Sequence, residues 1–139
     1  MKYLNMNKKN ILILFLITFL FVFVFHVLVL FRVIPFSIFW GGKIKTIENM
    51  QKMEAISLSV NALILVFVLS ELGVLRKKCP SNLAKFIYLV LLNLFIFNTI
   101  GNLFSESNLE KIIFTPITLA LSVMSFILLF RKESQNKSS

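Results

Sequence analysis

Four long apolar runs, each ended by basic or turn-forming residues, set the pattern of this chain. The first, Ile11 to Phe31, is broken only by Thr18 and His26. At a rise of about 1.5 Å per residue it covers roughly 30 Å, one hydrocarbon core. A secretory leader would have a shorter apolar region and a small-residue cleavage site, whereas this run ends in Phe31-Arg32-Val33-Ile34-Pro35 and reads as a retained helix. The other spans are expected at 55–75, closed by Arg76-Lys77-Lys78 and Pro80, at 83–104 with Ser81 as N-cap, and at 108–130. Ser107 and Glu110 have the spacing of a capping box at the start of the fourth, and Pro116 predicts a kink in it. The fold class expected is all-α, a bundle of four transmembrane helices in one domain.

Between the first two spans, Ile34 to Gly42 is apolar but carries a proline and a glycine pair, so it breaks the helix. Trp40 suits a headgroup boundary. From Thr46, a candidate N-cap, Ile47, Met50 and Met53 recur at near-helical spacing, which predicts a short amphipathic segment lying at the interface.

Composition agrees with a protein dissolved in lipid. Hydrophobic residues make up 58% and charged residues 15% of the chain, against roughly 25% charged in ordinary soluble domains. Aromatic content is mostly Phe, 16 of them beside 2 Tyr and 1 Trp, and a Phe ring faces acyl chains without needing a hydrogen-bond partner. The net charge of +9 points to anionic lipid headgroups as partners and not to nucleic acid, because the cations flank apolar runs instead of forming a stripe with interleaved aromatics. The single cysteine, Cys79, excludes an internal disulfide and any CxxC redox or zinc motif. Its cationic neighbours Arg76, Lys77 and Lys78 would favour the thiolate.

Polar side chains inside the spans are the candidate site, since each is costly in lipid unless it is paired or functional. Glu54, Ser57 and Asn61 share an arc of about 60° on the second helix, at about 100° per residue. Asn98, Gly101, Asn102 and Ser105 lie on one face of the third, and Lys111, Thr115, Thr118, Ser122 and Ser125 form a stripe on the fourth. Asn61 and Asn98 fall about 10 Å and 9 Å inside the same end of their spans, Thr118 at a similar level, and His26 roughly 7 Å inside the first. All four helices therefore offer polar groups to the same half of the bundle. Two accounts stay open: interhelical glue by hydrogen bonding between small polar residues, or a pocket for a small ligand or lipid headgroup with Glu54 as its charged member. Glu54 is expected to pair with Lys111 or Asn102, and Glu71 with Arg76. His26 alone, without a second His or a Cys cluster, reads as a packed, hydrogen-bonded residue, so no metal or cofactor is expected. There is no Ser-His-Asp set, no paired carboxylates and no HExxH motif.

Ile34-Pro35-Phe36, Phe39-Trp40-Gly41-Gly42, Glu54 with Ser57 and Asn61, Asn98-Thr99-Ile100-Gly101-Asn102-Leu103 and Glu110-Lys111 together resemble an uncharacterised bacterial group of small four-helix integral membrane proteins. The resemblance covers nearly the whole chain and implies the four-helix architecture without an activity. Thiol oxidoreductases of the vitamin K epoxide reductase type need a CxxC pair, and small multidrug transporters need a Glu in the first helix, where this chain has Thr18 and His26. The expected role is a non-enzymatic binding or accessory component of the cell membrane, with a homo-oligomer or a membrane protein as possible partner. A transporter-like or channel-like oligomer with Glu54 on its pathway is second, and a lipid-modifying enzyme third.

Orientation follows from the connections, because cytoplasmic segments retain Lys and Arg. Lys2, Lys8, Lys9, Arg76, Lys77, Lys78, Lys85, Arg131, Lys132 and Lys137 fall on one side, ten against the five of the other, Arg32, Lys43, Lys45, Lys52 and Lys111. Both termini are expected in the cytoplasm. Reporter fusions after Lys78 and Lys132 should read cytoplasmic and one near Lys45 external; the reverse pattern would refute the orientation.

Overall fold

Each apolar run folds as a helix in the computed structural model, which describes residues 7–131. α1 spans Lys8–Leu30, α2 Ile47–Glu71, α3 Ser81–Leu103 and α4 Thr115–Phe130, the last entered through a π-helical turn at Glu110–Phe114. Among the described residues there is no strand. α1, α2, α3 and the continuous helical segment Glu110–Phe130 are long and apolar enough to cross a membrane, and the protein is a multi-pass membrane protein of all-α architecture. The expectations for Lys2, Lys132, Lys137 and the polar tail from Glu133 lie outside the described residues.

Local chemistry sets the helix ends. Asn7 caps α1 by accepting from Lys9 N, and Thr46 caps α2 by accepting from Asn49 N. At the other end of each, a left-handed residue reverses the chain: Arg32 (φ 60°) after α1 and Gly73 (φ 76°) after α2. In both, two crossed bonds to the last turn complete a Schellman ending, Val33 N to Leu28 O and Arg32 N to Val29 O in one, Val74 N to Leu69 O and Gly73 N to Ser70 O in the other. Pro80, not Ser81, occupies the N-cap of α3. α2 begins well before 55: the Ile47 to Glu54 segment is its continuous first turns and no separate interfacial helix, although Ile47 and Met53 are exposed as an amphipathic segment requires. Only the 34–46 connection with its two 3-10 turns, Phe36–Ile38 and Trp40–Gly42, is non-α structure between the first two spans.

The helices pack as two hairpins, α1 with α2 and α3 with α4, joined along α1 and α4. One core cluster holds Phe15, Phe19, Ile64, Phe67, Val68, Tyr88, Leu91, Phe95, Leu121 and Leu128. Phe95 wedges between the hairpins, its ring 6.1 Å from Phe15 and 5.7 Å from Phe19. A second cluster of Val29, Phe39, Ile44 and Met50 seats the 34–46 connection on the bundle end. The outward faces are apolar: Leu63 is 72% and Phe97 70% exposed, the sign of side chains that meet acyl chains, not water.

α2 and α3 make no extended backbone contact. They meet at the proximal end, the end that carries Lys8 and the 72–80 connection. There the Phe67 ring lies 5.1 Å from Tyr88, and the Tyr88 hydroxyl donates to Glu71 Oε2 at 3.1 Å. Lys8 Nζ reaches the same oxygen at 2.8 Å. Glu71 therefore pairs with Lys8 and Tyr88 and not with Arg76, because the Schellman ending at Gly73 turns the chain away before the basic run begins. Cys79 also departs from expectation: it packs against the core cluster, and burial followed by the Glu71 charge pushes its thiol up, opposing the thiolate.

In the proximal triad the Glu71 side chain is 5% exposed and that of Lys8 39%. Lys8→Ala leaves a carboxylate still bonded to Tyr88, whereas Glu71→Ala leaves a buried phenol without its acceptor. Glu71→Ala should therefore lower stability by about 1–3 kcal/mol, and Lys8→Ala by about 1 kcal/mol or less, in thermal unfolding in detergent. Equal losses would show that the ion pair, not the phenol, is the larger contribution.

Candidate functional site

Above the Phe15, Phe19 and Phe95 stack, in the distal half, the space between the hairpins is not filled. A cavity of about 300 Å³ lies there, walled by α1 (Phe19, Val22, Phe25, His26), α2 (Glu54, Ser57, Asn61, Ile64), α3 (Leu94, Asn98, Asn102) and α4 (Ile117, Thr118, Leu121), and roofed by Phe39 and Trp40 with Glu110 and Phe114. It is half open. Ile56, Val60 and Asn98 line it and are themselves exposed on the bundle surface, so the opening faces sideways between α2 and α3.

Glu54 sits at the join of three elements. It is 1% exposed. Its Oε2 lies 2.6 Å from His26 Nδ1 on α1, and its Oε1 accepts from Trp40 Nε1 at 3.0 Å. Glu54 Oε2 and His26 Nδ1 share one hydrogen bond, whose donor is set by the imidazole tautomer. Glu54 thus has His26 and Trp40 as partners in place of Lys111 or Asn102, because the 34–46 connection folds back over the bundle and delivers the indole where a fourth-helix cation was expected.

Glu110 holds the same connection from the other side. Trp40, Gly41 and Gly42 all have left-handed backbones, with φ of 57°, 66° and 70°. Successive residues in such a turn aim their N–H groups together, a nest for an anion. The Glu110 carboxylate fills it, accepting from Trp40 N at 2.5 Å and Gly41 N at 2.9 Å, and from the Ser105 hydroxyl. A tryptophan in this region is strained by roughly 1–2 kcal/mol, which these charge-assisted bonds offset. Ser107 Oγ does accept from Glu110 N, at 3.4 Å. The reciprocal half of the capping box is absent, since the Glu110 side chain is committed to the loop.

The candidate residues divide. Glu54, Ser57, Asn61, Asn98, Asn102 and Thr118 all face the cavity. Lys111 and Thr115 do not: Lys111 is exposed, and neither lines the space. The π-helical turn inserts an extra residue per turn just before Thr115, so a stripe drawn at uniform α spacing slips by one position, and Glu110 replaces Lys111 on the inner face. Pro116 is the cause on offer, because widening the turn relieves its ring from the carbonyl four residues back, where a kink was expected. Ser122 and Ser125 are buried but bond their own helix, to Leu119 O and Leu121 O. Thr99 was missed; its hydroxyl lies 2.9 Å from that of Thr118 and ties α3 to α4 beneath Asn102. His26, Trp40 and Glu110 line the cavity and lie outside the stripes.

Two buried polar atoms lack a partner among the described residues, Asn61 Oδ1 and Thr115 Oγ1. Asn61 is 7% exposed. Its amide nitrogen donates to Ser57 O at 2.8 Å. A carbonyl oxygen only accepts, so this bond fixes the amide orientation and leaves Oδ1 as a buried acceptor without a partner among the described residues. No group of His, Cys, Asp and Glu among the described residues has the arrangement of a metal site.

No protein-family model matches the chain, and no curated protein or solved structure matches it.

Glu110→Gln keeps the size but turns one acceptor oxygen into a donor that confronts a loop N–H. The loss should be about 2 kcal/mol, with a red shift of the emission of Trp40, the chain's single tryptophan, as the connection loosens. Unchanged melting and emission would show that Phe39 and the second cluster hold the connection without it.

Proposed function

We propose that this protein is a binding component of the cell membrane, both termini cytoplasmic, that holds a small molecule drawn from the bilayer in the distal cavity. The observation that carries this reading is a half-open, largely apolar cavity that has polar side chains of α2, α3 and α4 in its wall, among them Asn61, whose buried Oδ1 has no partner among the described residues. Purely structural glue would leave the polar groups paired with one another, as Thr99 and Thr118 are. Asn61 Oδ1 is not paired in this way, and leaving a buried acceptor unmet costs on the order of 1–3 kcal/mol.

A binding role is favoured over conduction by the floor of the cavity. Phe15, Phe19 and Phe95 close it toward the proximal half, and Phe67, Tyr88 and Leu91 fill the space beyond. The polar path ends there, with no further buried ionisable group before Glu71 among the described residues. With both termini cytoplasmic, the cavity opens to the outer leaflet, and the basic proximal end, with Arg76, Lys77, Lys78 and Lys85 exposed, faces the anionic headgroups of the inner leaflet.

Glu54→Gln separates binding from packing. A glutamine at this position still accepts from Trp40 through its oxygen and donates to His26 Nδ1 when the imidazole carries its proton on Nε2. Thermal stability in detergent should fall by only about 1 kcal/mol. The wild-type protein, extracted in mild detergent, should release a near-stoichiometric small molecule on denaturation, visible by mass spectrometry, and the folded variant should release far less. An empty wild type, or a variant that retains the molecule while its stability collapses, returns Glu54 to a packing role.

A further inference from the structure

On the outward face of α3 a polar group stands against hydrocarbon with nothing in the bundle to meet it. Asn93 is exposed, on the side of the helix opposite the buried Tyr88, Leu91 and Phe95. It lies about 18 Å from the start of α3 and about 15 Å from its end, at the middle of the bilayer. One N–H of its amide donates to Leu89 O at 2.8 Å. The second N–H and the carbonyl oxygen have no partner among the described residues. Thr18 and Ser59 differ in this respect, because each spends its one hydroxyl proton on its own helix, on Leu14 O at 2.9 Å and Ala55 O at 2.7 Å. An amide has more to satisfy than one such bond supplies, and at mid-depth neither water nor a headgroup reaches it.

The residues around Asn93 repeat at the spacing of a helix–helix seam. Counted in sevens, Phe86, Asn93 and Ile100 form one row and Leu89, Ile96 and Leu103 a second, and all six are exposed. This is an a/d pattern with a single asparagine at its central a position, the placement that fixes register and oligomer state in coiled coils. The amide also complements itself in charge: the positive N–H end of one meets the negative oxygen of a two-fold-related copy, so each donates once and accepts once. Copies inserted in one orientation, as the uneven distribution of basic residues favours, carry Asn93 at the same depth. The residue then meets its own counterpart without a shift along the helix. We infer that the chain dimerises in the bilayer through the outward faces of α3, about a two-fold axis along the membrane normal, with the two Asn93 amides hydrogen-bonded across it. The cavity mouth stays open in this dimer, because Asn98 at its edge is about 140° round the helix from Asn93.

The full-length protein, labelled at a C-terminal tag, is reconstituted in phosphatidylcholine vesicles over a range of protein-to-lipid ratios and counted by single-molecule photobleaching. Two-step bleaching should rise with density in the wild type. Asn93→Leu keeps the apolar seam but removes the amide, and should raise the mole-fraction dissociation constant by about tenfold while melting as the wild type does. Ser59→Leu, on the exposed side of α2, should leave it unchanged. A second arm keeps Asn93 in place: in a Cys79→Ser background, copper phenanthroline should link Ile96→Cys into a covalent dimer and leave Leu63→Cys, exposed on α2, as monomer. A wild type that bleaches in one step at every ratio overturns the inference. So does an Asn93→Leu protein that pairs as the wild type does, or a dimer that links through Leu63→Cys in preference to Ile96→Cys.

Discussion

Trp40 is gripped at both ends, its indole N–H by Glu54 and its backbone N–H by Glu110, and the distal half of the molecule depends on that double hold. The 34–46 connection is too short and too broken by Pro35 and the glycine pair to form a stable element alone. It gains its shape from two carboxylates carried on α2 and on the start of α4. In return it gives each of them donors in a place where water is scarce, which is the condition for keeping a charge near hydrocarbon. His26 completes the arrangement by bringing α1 to the same oxygen pair. One set of bonds thus joins α1, α2, the connection and the π-helical turn, at a level where the helices themselves do not close.

The open space follows from how the hairpins are held. Between lipid-solvated helices the hydrophobic effect gives little attraction, so close packing and polar contacts decide which faces meet. α3 and α4 join through Thr99 and Thr118, and the two hairpins through the Phe15, Phe19 and Phe95 stack. α2 and α3 have only the proximal contacts of Tyr88 with Phe67 and Glu71. Distally their facing residues are Ser57, Asn61, Asn98 and Asn102, side chains too short to bridge the gap, and a cavity results. The aromatic wedge at mid-depth gives that cavity a floor and makes it a pocket instead of a passage.

The two ends of the bundle solve the same problem differently. Proximally a single carboxylate, Glu71, serves a lysine that reaches water and a buried phenol, and all of its partners come from helices. Distally two carboxylates serve a loop, and the partners include backbone N–H groups that only a left-handed turn can present. The proximal arrangement is a clasp that closes α1, α2 and α3. The distal one leaves the mouth of the pocket roofed but its side open.

The order of apolar runs and breaks was enough to establish four membrane-length helices, because a backbone in lipid must satisfy its own hydrogen bonds and a helix is the local way to do so. The clustering of Glu54, Ser57, Asn61, Asn98, Asn102 and Thr118 in one half of the bundle was legible for the same reason: helical spacing is a property of sequence alone. Partner choice was not. Glu54 meets Trp40 only because a fourteen-residue separation in sequence is folded back by the connection, and Glu110 turns inward in place of Lys111 only because Pro116 goes with a wider turn that shifts the register by one residue. Glu71 takes Lys8 from the far end of a neighbouring helix over the arginine a few residues away. Each of these depends on where a turn sends the chain, and in lipid a buried charge takes whichever donor the tertiary fold brings within reach, not the one nearest along the sequence.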